Sequence, residues 1–175
     1  MKKSVVEMTV CAALCAVLCV VCPFMVPVGA VPVTLGTFAV CCAGGVAGGK
    51  RGLAAVGLYL LLGGIGVPVF AGFRGGVYTL IGPTGGFLWG YLLLVAVVGF
   101  VSDRTDSRAA FCPACCGGTV LLYLVGGGWY AVTAHTSFFA ALSVCAVPFL
   151  PLDAVKIAAA TVLVPRLKQR LPQPN

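Results

Sequence analysis

The sequence predicts an all-α integral membrane protein: six transmembrane helices, with a short additional outer-side helix between the fifth and sixth. Three observations carry this. First, hydrophobic residues make up 61% of the 175-residue chain and charged residues only 9%, with a mean hydropathy of +1.11. A soluble domain carries about a quarter charged residues. A water-soluble fold of this composition would expose Leu, Val and Phe over most of its surface. Second, the apolar residues fall into runs punctuated by Gly, Pro and charge. The length suits about six spans of roughly 20 residues with short loops, one membrane domain over 1–175 and no second soluble domain. Third, nine of the eleven Lys and Arg residues share one side if there are six spans: Lys2, Lys3, Lys50, Arg51, Arg104, Arg108, Arg166, Lys168 and Arg170. The positive-inside rule makes that side cytoplasmic and puts both termini there, in a multi-pass protein of the cell membrane.

The elements follow in order. Span one covers about 4–22 and is expected to be retained rather than cleaved as a signal peptide, because no clear A-x-A-like site follows its apolar run. Pro23, Pro27 and Pro32 end it and shape a loop. Span two covers about 34–49 and stops at Lys50-Arg51; span three covers about 52–66. A loop at about 67–83 is rich in Gly and aromatics, and span four follows at about 84–101. The one clearly hydrophilic stretch, Ser102 to Arg108, leads into span five at about 109–127. The segment after it is apolar but broken at Gly128, Pro148 and Pro151; a short helix at about 137–147 packs on the outer side, because a seventh crossing would place the basic tail outside. Span six covers about 153–167.

Several function classes are excluded. The net charge of +7 does not mark a nucleic-acid binder, since the basic residues flank apolar spans and form no stripe with interleaved aromatics. Ten cysteines read as small apolar residues: Cys11, Cys15, Cys19 and Cys22 follow helical spacing along span one. The Cys112-Pro113-Ala114-Cys115 element has neither a second such pair nor a nearby His to complete a metal site. Gly44 to Lys50 fits the Gly-rich half of a P-loop, but Arg51 stands where Ser or Thr must hold Mg²⁺, and no strand precedes it. Any energy from ATP must then come from partner subunits. One His and four acids supply no Ser-His-Asp set and no paired carboxylates, so no enzyme is expected. Glu7 lies at the cytoplasmic end of span one, and Asp103 and Asp106 are expected to be solvated in the charged loop.

Two cations break the asymmetry. Arg74 and Lys156 fall on the outer side, where a cation beside apolar walls is costly unless something uses it. Asp153 lies three residues before Lys156, in the first turn of span six, where i and i+3 share a face. A helix-capping acid with a local ion pair accounts for these two residues. So does a ligand site in which the carboxylate accepts from N–H donors and the ammonium meets an anion. Arg74 favours the second reading, because pairing Asp153 still leaves excess positive charge.

The stretch from Gly66 to Gly76 (GVPVFAGFRGG), then Gly82 to Leu88 (GPTGGFL), resembles the signature of the BioY family, the biotin-transporter S components. Pro151 to Lys156 resembles that family's P-x-D-x-x-K segment, and Val31 to Leu35 its V-P-x-T-L segment. The similarity runs in order over nearly the whole chain. It departs at Gly36, where the family commonly has Gln, and at Phe87, where Tyr is common. The resemblance implies a substrate-binding subunit of an energy-coupling-factor importer, with biotin as transported ligand rather than cofactor. Its site would use Arg74, Asp153 and Lys156, with Gly75, Thr84 and Phe87 from the matching motifs. It further implies a transmembrane coupling subunit and two cytoplasmic ATPases as partners, met through Ala12 and Ala16 on span one. A related S component for another small vitamin, and a non-transporting structural subunit, are the alternatives.

Overall fold

The computed structural model describes residues 2–28 and 31–170. The side chains of Lys2, Lys3 and Arg170, counted above in the charge asymmetry, lie outside the described residues. Helix α1 (Lys2–Val21) leads into two short strands, β1 (Met25–Val28) and β2 (Val31–Thr34). Then come α2 (Gly36–Gly64), α3 (Val77–Ile81), α4 (Gly85–Ser102), α5 (Arg108–Thr133), α6 (Phe138–Cys145) and α7 (Leu150–Arg170). α4 and α5 are each long and apolar enough to cross a membrane alone, and α6 with α7 to Lys168, bent by 56°, forms a third such unit. The short helix expected at about 137–147 is α6.

Two elements differ from expectation. The segment after α1 is not an open loop. β1 and β2 pair antiparallel, Met25 opposite Thr34 and Val26 opposite Val33. β-Branched residues suit a pleated ribbon, and Pro27 and Pro32 are tolerated in a two-stranded ribbon whose outer edges need no ladder donors. The expected loop at 67–83 contains a helical turn, α3. Spans two and three are the two helical parts of α2, which breaks at Gly48, where the chain turns back so that Gly52 packs on Gly44.

That break has a local cause. Gly48 has φ +79°, a conformation costly for any residue with a Cβ. The Asp103 carboxylate occupies the space where such a Cβ would project. Its Oδ2 accepts from the Gly49 N–H at 2.9 Å. Asp103 is therefore not simply solvated: it satisfies a donor exposed by the break and ties α4 to α2. The Gly-rich segment resembling a P-loop is a helix hinge.

The most extensive helix packing is that of α2 on α4, followed by that of α4 on α5. Leu18, Val40, Val56, Tyr59, Leu94, Val98 and Leu122 are almost wholly buried where these helices meet. On α1, Cys15 and Leu18 face this core, as does Cys22 just after it, while Ala12 and Ala16 are exposed on the helix's other side. The charged residues separate by end. Glu7 pairs with Arg51 at 2.7 Å, Asp106 with Lys168 at 2.8 Å, and Arg104 stacks 3.7 Å over the Phe100 ring. Arg74, Asp153 and Lys156 lie together elsewhere, around a cavity.

Candidate functional site

A cavity of about 260 Å³ is lined by residues from the hairpin, α2, the 66–84 segment, α3, α4, α5, α6 and α7. Its charged lining residues are Arg74, Asp153 and Lys156. One carboxylate and two cations leave the walls with one excess positive charge.

Asp153 and Lys156 form the floor. The helix α7 begins at Leu150, so Asp153 falls in its first turn and Lys156 one turn on. Their side chains meet at 2.8 Å and are only 6% and 12% exposed. The carboxylate reaches across the bundle. Its Oδ1 accepts from the Thr37 hydroxyl of α2 at 3.0 Å, and its Oδ2 from the Tyr123 hydroxyl of α5. The Lys156 ammonium donates to the Thr34 carbonyl at 2.7 Å and, weakly, to the Thr37 hydroxyl at 3.4 Å. No hydrogen bond links the Asp153 side chain to its own helix N–H groups among the described residues. The capping role considered for it is not its geometry. A buried ion pair held this way survives desolvation only because its neighbours complete its hydrogen bonds.

Arg74 is placed differently. Its backbone pairs with Phe70, donating at 3.3 Å and accepting at 2.9 Å. Phe70 is buried with its ring edge-on to Tyr59, centroids 5.5 Å apart. Gly72 N–H donates to the Pro23 carbonyl at 2.9 Å, and Gly76 N–H to the Gly63 carbonyl at 2.6 Å. These bonds fix the loop to α1 and α2 and deliver Arg74 to the cavity wall. Its guanidinium has no ion pair or side-chain hydrogen bond among the described residues. It is the free cation of the cavity.

Thr84 and Phe87 line the cavity. Gly75 does not; it packs against the loop backbone at Gly66 and Val67. The Gly36 departure also has a reason here. The Tyr91 hydroxyl stands where a Cβ on residue 36 would project, and it lies 3.5 Å from the Thr34 hydroxyl. Any side chain at 36 would displace Tyr91, which is itself part of the cavity wall. Sequence reasoning missed Thr37, Tyr91 and Tyr123. The available signal was their polarity: few hydrogen-bonding side chains occur within the spans, and such residues face the bundle interior.

A family model described as the BioY family matches residues 1–173. The biotin transporter BioY of Thermotoga maritima is 38% identical over 144 residues, covering 82% of this chain and 85% of that protein. The biotin transporter BioY of Rhodobacter capsulatus is 37% identical over 161 residues, 84% of each. Among solved structures, the S-component for biotin from an ECF-type ABC transporter superposes with a TM-score of 0.89 at 26% identity, covering 96% of this chain and 93% of that one.

Proposed function

The chain belongs to the BioY family of integral membrane proteins, and from that premise we propose that it binds biotin as the S subunit of an energy-coupling-factor importer. The observation that carries this is the division of charge in the cavity: a neutralised, buried Asp153–Lys156 pair and a free Arg74. Biotin has the matching division, a neutral cyclic urea at one end and one carboxylate at the other. Asp153 accepts a ureido N–H, and Lys156, 2.8 Å away, lies where it can donate to the ureido oxygen. Arg74, rather than the already paired Lys156, holds the valerate carboxylate. Phe70, Phe87, Tyr91 and Phe149 supply apolar walls for the bicycle, and Thr84 a hydroxyl.

We assign the energy of the transport cycle to a coupling subunit and two cytoplasmic ATPases, since the P-loop-like stretch at 44–50 is a helix break among the described residues. Ala12 and Ala16 lie one turn apart on the exposed face of α1, where small side chains let a partner helix approach closely. The cations at 50–51, 104–108 and 166–168 favour a cytoplasmic position for that end and an extracytoplasmic one for the cavity. Titration calorimetry in detergent tests the reading: biotin binds the purified chain with one-to-one stoichiometry, and absence of binding refutes it. Replacing Ala12 and Ala16 together by Trp abolishes copurification with the coupling subunit and leaves biotin affinity unchanged; wild-type copurification would remove this face from the partner contact.

A further inference from the structure

We propose that Trp89 and Trp129 are positioning residues for the carboxylate end of the ligand: their indole N–H groups clamp the C-terminal end of α3 and thereby hold the wall segment that carries Arg74, Thr79 and Thr84. The proposal rests on the biotin-binding reading above and adds what keeps that end of the site in shape.

α3 does not place itself. It is five residues long, and none of its residues is buried. A helix of little more than one turn is unstable alone, and without a buried side chain the core does little to fix it. Yet Thr79 within it lines the cavity, as do Arg74 shortly before it and Thr84 shortly after. The N-terminal side of the segment is tied by its own groups. The Gly76 N–H donates to the Gly63 carbonyl of α2 at 2.6 Å, and the Thr79 hydroxyl donates to the Gly75 carbonyl, next to Arg74, at 3.3 Å. The C-terminal side relies on two borrowed donors. Trp89 of α4 donates from Nε1 to the Leu80 carbonyl at 3.3 Å, one of the carbonyls that a helix end leaves without an intrahelical partner. Trp129 of α5 donates from Nε1 to the Gly82 carbonyl at 3.0 Å. The same carbonyl accepts from the Gly85 N–H at 2.9 Å, so Trp129 holds the turn that contains Thr84.

These are the chain's two tryptophans, and both rings are partly exposed, 43% at Trp89 and 37% at Trp129. A tryptophan at a membrane interface ordinarily turns its polar edge to the wet side. Here both N–H groups are spent on one segment, from two different helices. The α5 anchor exists because α5 continues past Gly128 to Thr133. Gly86 makes room for it, since a Cβ on residue 86 would strike the Trp129 side chain. A wall segment left free must be ordered when the ligand binds, and that cost is subtracted from affinity. The other end of the cavity is independent of the clamp: Asp153 and Lys156 are braced by Thr34, Thr37 and Tyr123, outside α3. Loosening the clamp is therefore felt at the ligand's carboxylate and not at its head group.

The test uses the full chain in detergent and two probes, biotin and biotin amidated at its carboxyl. Trp129→Phe keeps an apolar ring and loses the donor. Titration calorimetry then gives biotin weakened about tenfold and amidated biotin weakened less than about twofold. Trp89→Phe, which removes the longer bond, shows the same bias at about threefold. Gly86→Ala keeps the indole but pushes Trp129 away from Gly82, and it reproduces the bias of Trp129→Phe. A merely structural tryptophan would weaken both probes alike, and that result overturns the positioning role while leaving biotin binding intact. Unchanged biotin affinity in Trp129→Phe overturns it as well. So does equal affinity of the wild type for the two probes, because no carboxylate contact is then present to be positioned. Failure of the wild type to bind biotin itself overturns both the proposal and the function it rests on.

Discussion

Helix α7 carries an ion pair at each end, and the two have the same length. Lys156 meets Asp153 at 2.8 Å with side chains 12% and 6% exposed. Lys168 meets Asp106 at 2.8 Å, but Asp106 is 85% exposed. Distance alone would rank them as equals. Their surroundings separate them. The first is dehydrated, braced by Thr34, Thr37 and Tyr123, and opens onto a cavity with a free Arg74. The second joins the α4–α5 connection to α7, with a further bond from Lys168 to the Ser102 carbonyl at 3.1 Å, and one partner stays in solvent. A buried pair costs desolvation that only a complete set of partners offsets; an exposed pair costs and contributes little. The difference teaches that a ligand site is recognised by how its charges are dehydrated and what capacity they keep in reserve.

The comparison is most sharply tested at Asp153. Asp153→Asn replaces a carboxylate acceptor with an amide and strands Lys156, and biotin affinity falls by about 2–5 kcal/mol in titration calorimetry. Unchanged affinity with an intact fold would make the two ion pairs equivalent after all. Arg74→Ala comes next. Removing a charge-assisted contact weakens biotin by about 1.5–3 kcal/mol, with an unchanged melting temperature because Arg74 braces nothing. Biotin amidated at its carboxyl loses affinity for the wild type and loses almost nothing further in this variant. At the other end, Gly48→Ala forces a Cβ into the space of Asp103 at φ +79°. Thermal unfolding shows a loss of about 1–3 kcal/mol, and biotin affinity is unaltered. The smallest effect belongs to the exposed pair: Asp106→Asn changes stability by less than about 1 kcal/mol and leaves ligand binding where it was. A large ligand effect there would show that the two ends of α7 are coupled.

Much of the organisation was legible because hydropathy and charge are local, additive properties. The placement of α4, the start of α5, the short α6 and the isolation of Arg74 and Lys156 from the other cations follow from runs of apolar residues and their flanks; the expected break at Gly128 is absent, and α5 runs on to Thr133. The hairpin was not legible. Its strands are four residues each, too short for a period to register, and Pro27 and Pro32 signalled a loop. The division between spans two and three was legible, because Lys50 and Arg51 lie just after the break at Gly48. Within the site, Arg74, Asp153 and Lys156 stood out as charges in an apolar chain. Thr37 and Tyr123 did not, since a hydroxyl in a span has many uses until its partner is known.

By itself, then, the sequence determined the solvent this protein lives in, the approximate path of its helices, and which charged residues had no structural excuse on the far side. It also determined the family, through motifs spread in order along the chain. Tertiary structure alone decided which cation is free. Lys156 is consumed by a carboxylate one turn away and by a carbonyl 122 positions earlier, whereas Arg74 is held by its backbone and left unpaired. Asp153 is oriented by a threonine 116 positions distant and a tyrosine 30 positions distant. Hydrogen-bond capacity is used up by neighbours in space, and a linear pattern has no means of recording which neighbours those are.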